Sequence, residues 1–324
     1  MKVFHNVLDM IGNTPMLKVS NMDTGPCELY LKLELMNPGG SIKDRIAVSM
    51  IEAAEREGTL KPGDTIIEAT AGNTGLGLAL VAASKGYPLK IVMPDKMSQE
   101  KVNNLRAMGA EVTMTRSDVQ KGHPEYYQDM AARLAAEHGY FYVNQFANQH
   151  NVAAHYRTTG PEIWQQMEHR LDAFVCGVGS GGTLSGVGKY LREQHAGVDL
   201  VLADPAGSIL EPLVNRNEEV APGSWLVEGI GEDFIPDTCN LELANKAYAI
   251  TDKEAFLTAR EVLVKEGIMV GSSSGTLIAA ALRYCREQTE PKRVVTLACD
   301  TGNRYLSKLY NDVWMREKQL LAGE

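Results

Sequence analysis

Thr65-Ile66-Ile67-Glu68-Ala69-Thr70-Ala71-Gly72-Asn73-Thr74-Gly75-Leu76-Gly77 reads as an apolar strand that runs into a glycine-rich turn and then a helix. The strand covers 65–70, the helix covers 76–85 and stops at Gly86, and a second strand over 89–93 is halted by Pro94. That is one βαβ unit. Its turn collects unpaired backbone N–H groups in one place, which makes an anion trap suited to a carboxylate or a phosphate. Close packing of helix on strand through Gly75 and Gly77 accounts for the same glycines equally well.

The alternation continues outward. Helices are predicted over 98–107 and 126–138, with strands over 111–115 and 140–144. A second series has strands at 173–177, 200–203 and 294–298 and a helix at 183–192; residues 150–170 link the two series, the helix 161–169 already lying in the second. Two parallel-sheet α/β domains are the expected outcome. The 324 residues, 44% of them hydrophobic, are enough to fill two cores.

Composition excludes several classes. The net charge of −9 comes without a lysine or arginine block, against a nucleic-acid or anionic-membrane partner. No run approaches eighteen apolar residues and residues 1–14 do not read as a signal peptide, so a cytoplasmic location is expected. The five cysteines form no C-x-x-C pair, and His150 and His155 miss the i, i+4 spacing, so neither a disulfide framework nor a metal site is inferred.

Four further stretches carry candidate chemistry. In Pro38-Gly39-Gly40-Ser41-Ile42-Lys43-Asp44-Arg45, Ser41 and Asp44 fit a capping box, which starts a helix at Ser41 and puts Lys43 in its first turn. The helix dipole disfavours a cation there and frees the amine to act as nucleophile or base. A lysine that simply reaches solvent is the plain alternative. Gly177-Val178-Gly179-Ser180-Gly181-Gly182-Thr183 follows an apolar strand and matches G-x-G-x-x-G, with Asp204 at about the offset of a ribose-binding acid. Two readings stay open: a nicotinamide dinucleotide, or a cup for one phosphate built from N–H groups and the Ser180 and Thr183 hydroxyls. Gly271-Ser272-Ser273-Ser274-Gly275 opens a helix over 276–286 and could be mere capping. Asn144-Gln145-Phe146-Ala147-Asn148 matters only if it meets the other turns at the carboxyl ends of the strands.

Together these motifs, in order from Ile11-Gly12-Asn13-Thr14-Pro15 to Trp314, resemble the fold-type II pyridoxal-phosphate enzymes, the tryptophan synthase β-like fold, and within them the group of cysteine synthase and cystathionine β-synthase. The resemblance implies two parallel-sheet α/β domains with pyridoxal 5'-phosphate in the cleft between them: residues 1–40 with 150–324 as the larger, cofactor-binding domain and 41–149 as the smaller, substrate-binding one. It implies Lys43 as the lysine that binds the cofactor as an imine and moves the α-proton. Asn73 would meet the phenolic oxygen, and Gly179, Ser180, Gly181, Gly182 and Thr183 would hold the phosphate. Ser273 would face the pyridine nitrogen, and Thr70, Ala71, Gly72, Thr74 and Gln145 the substrate carboxylate. Ala71 departs from the serine usual in T-S-G-N-T-G, so a hydroxyl contact is missing there. The G-x-G-x-x-G then needs no dinucleotide.

The second half leans towards cystathionine β-synthase. Glu228-Gly229-Ile230-Gly231 has glutamate where the cysteine-synthase pattern usually has glutamine, and the 300–315 segment has the same leaning. Implied substrates are serine or O-acetylserine with homocysteine, Glu228 meeting the homocysteine ammonium; the alternative is cysteine synthesis from O-acetylserine and sulfide. A nicotinamide dehydrogenase leaves Lys43 and the 271–275 turn unexplained, and a silent partner in a synthase complex fits poorly with Lys43 intact. The apolar segment Val3-Phe4 with Val7-Leu8, with the family resemblance, leads to the expectation of a homodimer.

Overall fold

The computed structural model describes residues 3–70, 72–95, 97 and 99–321. In chain order the first elements are β1 (Met16–Lys18), β2 (Glu28–Lys32), α1 (Lys43–Glu57), β3 (Ile66–Ala69), α2 (Asn73–Lys85) and β4 (Leu89–Pro94). Next come α3 (Gln99–Ala107), β5 (Glu111–Thr115), α4 (Tyr127–His138), β6 (Phe141–Tyr142), α5 (Gln149–Ala154) and α6 (Gly160–Gln166). The rest are β7 (Ala173–Cys176), α7 (Gly182–Gln194), β8 (Asp199–Pro205), α8 (Leu210–Arg216), β9 (Lys246–Ile250), α9 (Asp252–Glu266), α10 (Ser272–Arg286), β10 (Arg293–Leu297) and α11 (Asp312–Glu317). Two compact units result, residues 1–11 with 37–151 and residues 12–36 with 152–324. Residues 1–11 and 37–40 therefore group with the smaller unit, whereas the sequence division put them with the larger.

The smaller unit is built on a four-stranded sheet in the order β5-β4-β3-β6, parallel throughout. All four residues of β3 are buried, as in a strand covered on both faces. Helix α2 crosses over between β3 and β4 and packs on α1. The contact is close because Gly77 carries no side chain: a Cβ there would lie 3.0 Å from the Lys43 carbonyl oxygen and 3.2 Å from Ala47 Cβ. Gly77 thus fixes how near α2 comes to the turn that bears Lys43.

The larger unit has six strands in the order β1-β2-β10-β7-β8-β9, with β1 antiparallel to β2 and the other pairs parallel. Strands β1, β2 and β9 escape the sequence reading. In β2 the reason is Lys32, which looks like a surface charge yet is fully buried. Its ammonium donates to the Thr14 carbonyl at 2.7 Å, the Glu162 carboxylate at 2.7 Å and the Gln166 side-chain oxygen at 2.9 Å. Glu162 also accepts from the Asn13 backbone N–H at 3.0 Å, and Thr14 Oγ1 donates to Glu34 at 2.7 Å. The Gly12-Asn13-Thr14-Pro15 motif is thereby tied to α6.

One sequence expectation at the start of α1 is corrected. The helix begins at Lys43, not Ser41, and Ile42 precedes it in helical conformation with no side-chain cap. Ser41 Oγ accepts from the Lys43 N–H at 3.2 Å, but the Asp44 carboxylate reaches back to the Gly39 N–H at 2.6 Å and not to Ser41. The cause is the turn at Gly40, φ 77°, which folds the chain so that Gly39 lies over Asp44. A Cβ on Gly39 would sit 2.4 Å from Asp44 Oδ1. No helix among the described residues is long and apolar enough to cross a membrane. Val3 is 77% exposed and Phe4 39% exposed.

The Lys32 network gives a direct test. Lys32→Met removes a buried ammonium from three acceptors and is expected to cost about 3–5 kcal/mol, the range for breaking a buried pair from one side. Urea denaturation should show a lower midpoint at an unchanged slope, and a change below about 1 kcal/mol would contradict the burial argument.

Candidate functional site

In the smaller unit, the turn after β3 places Thr70, Gly72, Asn73 and Thr74 at the N-terminus of α2; Ala71 lies outside the described residues. No acidic residue occupies the first turn of α2. Thr70 Oγ1 accepts from the Gly72 N–H at 3.1 Å, tightening the turn. Thr74 Oγ1 donates to the Gln145 side-chain oxygen at 2.6 Å, and the Gln145 amide nitrogen donates to the Ala69 carbonyl at 3.4 Å. The structure therefore brings the 144–148 turn to the 70–74 turn, with Gln145 almost fully buried. Lys43 is half-buried at the first position of α1.

Beneath this pair of turns lies Glu68, to which the sequence assigned no role. Its side chain is fully buried, Oε1 accepting from the Ala69 N–H at 2.8 Å and Oε2 from the Gln145 N–H at 3.2 Å. Burial pushes its carboxyl up to about 8, against the pull of those N–H groups. A carboxylate inside an otherwise apolar strand was the available signal.

In the larger unit, residues 179–183 form the turn between β7 and α7. Gly181 takes φ 86° as the N-cap residue, and Gly182 and Thr183 open a 13-residue helix whose first turn is free of acidic side chains. Gly179 has no room for a side chain, since a Cβ would lie 2.4 Å from the Gly229 carbonyl oxygen. That contact, with the Gly231 N–H donating to the Val178 carbonyl at 2.9 Å, joins the 179–183 turn to the loop bearing Glu228. Thr238 Oγ1 donates to the Ser180 carbonyl. The free N–H groups of Gly182 and Thr183, together with the Thr183 hydroxyl, fit a phosphate group.

The third turn opens α10. Ser272 Oγ accepts from the Glu228 N–H at 3.0 Å, and Ser274 Oγ accepts from the Cys299 N–H at 2.9 Å. Ser273 lies between them in the first turn of α10 and is 5% exposed. Behind the turn, the Gly271 N–H donates to the Asp300 carbonyl at 3.1 Å and Tyr305 Oη donates to Asp300 Oδ2 at 2.6 Å.

Asp204 departs from one reading that the sequence left open. Asp204 is not free for a ribose: it is fully buried, and Oδ2 accepts from the Glu211 N–H at 2.8 Å in the first turn of α8. The Glu228 side chain is 10% exposed and pairs with Lys308 Nζ at 2.7 Å.

A family model described as "Pyridoxal-phosphate dependent enzyme" matches residues 7–300. Cystathionine beta-synthase of Oryctolagus cuniculus is 44% identical over 328 residues, 100% of this chain and 59% of that protein. Cysteine synthase of Staphylococcus aureus is 46% identical over 309 residues, 94% of this chain and 96% of that one. The chain thus spans about three fifths of the first relative and nearly all of the second. Among solved structures, a hydrogen sulfide-producing enzyme from Fusobacterium nucleatum is 40% identical with a TM-score of 0.88, covering 94% of this chain and 100% of that one.

Glu68 gives this site a measurable pH signature. Its folded-state value, about 8, lies above the ordinary 4.5, so its contribution to stability is complete below pH 4.5 and is lost as pH rises towards 8. Glu68→Gln cannot ionise and should lack this loss. The stability of the variant relative to wild type should then climb by about 1.4 kcal/mol per pH unit across that window and level off above it. A pH-independent difference in thermal or urea unfolding would contradict the assignment.

Proposed function

The chain belongs to the pyridoxal-phosphate dependent enzymes, and on that premise we propose that it catalyses β-replacement, joining serine or O-acetylserine to homocysteine to give cystathionine. The single observation that carries the site is Ser273, 5% exposed in the first turn of α10 between two serines whose hydroxyls accept from backbone N–H groups. A ring nitrogen is a fitting acceptor for it, and the 179–183 cup fits the phosphate.

When bound, pyridoxal phosphate supplies an electron sink for the substrate's α-carbon. Lys43 would hold it covalently, then take the α-proton and later return it. Asn73 would donate to the phenolic oxygen. Thr70, Gly72, Thr74 and Gln145 would grip the substrate carboxylate, the last two already joined to each other. Ala71 offers only its backbone there. Ser273 brings no charge to the ring nitrogen, unlike an aspartate, so it tempers the sink and favours loss of the β-substituent over a long-lived carbanion.

Glu228 would meet the ammonium of homocysteine, sharing its charge with Lys308. The same ion pair favours the second reading, cysteine synthesis from O-acetylserine and sulfide: a glutamate already neutralised by Lys308 has less charge to offer. We read the protein as a cytoplasmic homodimer, the exposed Val3 and Phe4 being the observation that favours association.

Two measurements test this reading. Lys43→Ala should fold yet lose the visible absorbance that borohydride abolishes in the wild type, together with turnover; near-normal β-replacement would refute the assignment. Glu228→Gln should lower kcat/KM for homocysteine by about 1.5–3 kcal/mol while leaving the sulfide reaction nearly unchanged. Equal effects on both thiols, or none, would favour cysteine synthase.

A further inference from the structure

Between α5 and α6 the chain makes a π-helical turn, His155–Thr159. Such wide turns are uncommon and recur at functional sites. This one aims the His155 ring at α7. The ring is 1% exposed, its Nδ1 lying 3.0 Å from Thr159 Oγ1 and its Nε2 lying 3.3 Å from Thr183 Oγ1. The approach depends on Gly186, one turn along α7 from Thr183, where a Cβ would lie 2.4 Å from the Val152 carbonyl oxygen and 2.7 Å from His155 Cβ.

Hydrogen counting gives the contact a direction. A threonine hydroxyl has one hydrogen, and a neutral imidazole has one N–H. If the ring carries its hydrogen on Nδ1, Thr183 must donate to Nε2 and has nothing left for an anion. If the hydrogen is on Nε2, Thr159 donates to Nδ1, the ring donates to Thr183 Oγ1, and the Thr183 hydrogen is released toward the cup. We propose that His155 is a positioning residue of the 179–183 turn, which orients the Thr183 hydroxyl as a donor to the cofactor phosphate. The proposal rests on reading that turn as the phosphate site. His155 touches neither cofactor nor substrate and acts through Thr183.

The test compares pyridoxal phosphate with pyridoxal, which lacks the phosphate, as ligands of the full chain stripped of cofactor. His155→Leu should weaken pyridoxal phosphate binding about tenfold to a hundredfold and leave pyridoxal binding unchanged. In a Thr183→Ala background the same substitution should change affinity less than about twofold, because its target is gone. His155→Gln, which keeps an N–H donor, should recover part of the loss. Equal weakening of both ligands, or additive effects of the two substitutions, would overturn the proposal. A wild-type measurement stands apart from the folding of any variant: with 15N-labelled histidine and inorganic phosphate bound, the His155 ring should carry its hydrogen on Nε2, and a hydrogen on Nδ1 would refute the mechanism. A wild-type chain that binds neither pyridoxal phosphate nor inorganic phosphate would remove the reading of the cup itself, an outcome distinct from the others.

Discussion

Backbone N–H groups at a helix N-terminus have no intrahelical acceptor, and where a parallel strand delivers the chain to such a terminus the groups gather at the strand's carboxyl end. Here the strand-to-helix turns before α2 and α7 and the turn before α10 have this problem. The first turns of α8 and α9 answer it with acidic residues, Glu211 in one and Asp252 and Glu254 in the other. Helices α2, α7 and α10 have none. A helix end without acidic residues in its first turn is suited to an anionic or electron-rich ligand.

Holding such ends open requires fixing everything around them. In the larger unit the glycine loop at 229–231 closes over Gly179, Thr238 ties Ser180, and the segment from Asp300 to Tyr305 seats Gly271. In the smaller unit Gln145 is fastened from both sides by Thr74 and the Ala69 carbonyl. Bonds of this kind give a site its geometry before any ligand arrives.

Much of this was legible in the chain because the relevant signals are local. The β3-α2-β4 unit follows from apolar runs punctuated by Gly86 and Pro94, and the structure differs only at element ends. What was illegible depends on partners remote in sequence. Lys32 looks like a surface residue until Glu162, 130 positions away, is seen to hold it. The Ser41–Asp44 pair has capping-box spacing, but Gly40 bends the chain and gives the Asp44 carboxylate another donor. Asp204 sits at the ribose offset yet serves α8. His155 and Glu68 reveal their roles only through the three-dimensional neighbours of Thr183 and Gln145.

Glu68 also shows how a buried acid can be compatible with an anion site. An ionised carboxylate beneath the 70–74 turn would oppose a second carboxylate bound on that turn, and in a site shielded from water the repulsion would be weakly screened. Burial removes the conflict by keeping Glu68 protonated through neutral pH. The neutral acid still accepts from the Ala69 and Gln145 N–H groups and so keeps both turns in place. Its proton leaves only on approach to pH 8. On the proposed reading, substrate affinity should therefore weaken as pH passes about 8, where Glu68 ionises in the folded protein, whereas unfolding stability declines earlier, between 4.5 and 8, because the unfolded chain already holds Glu68 ionised there.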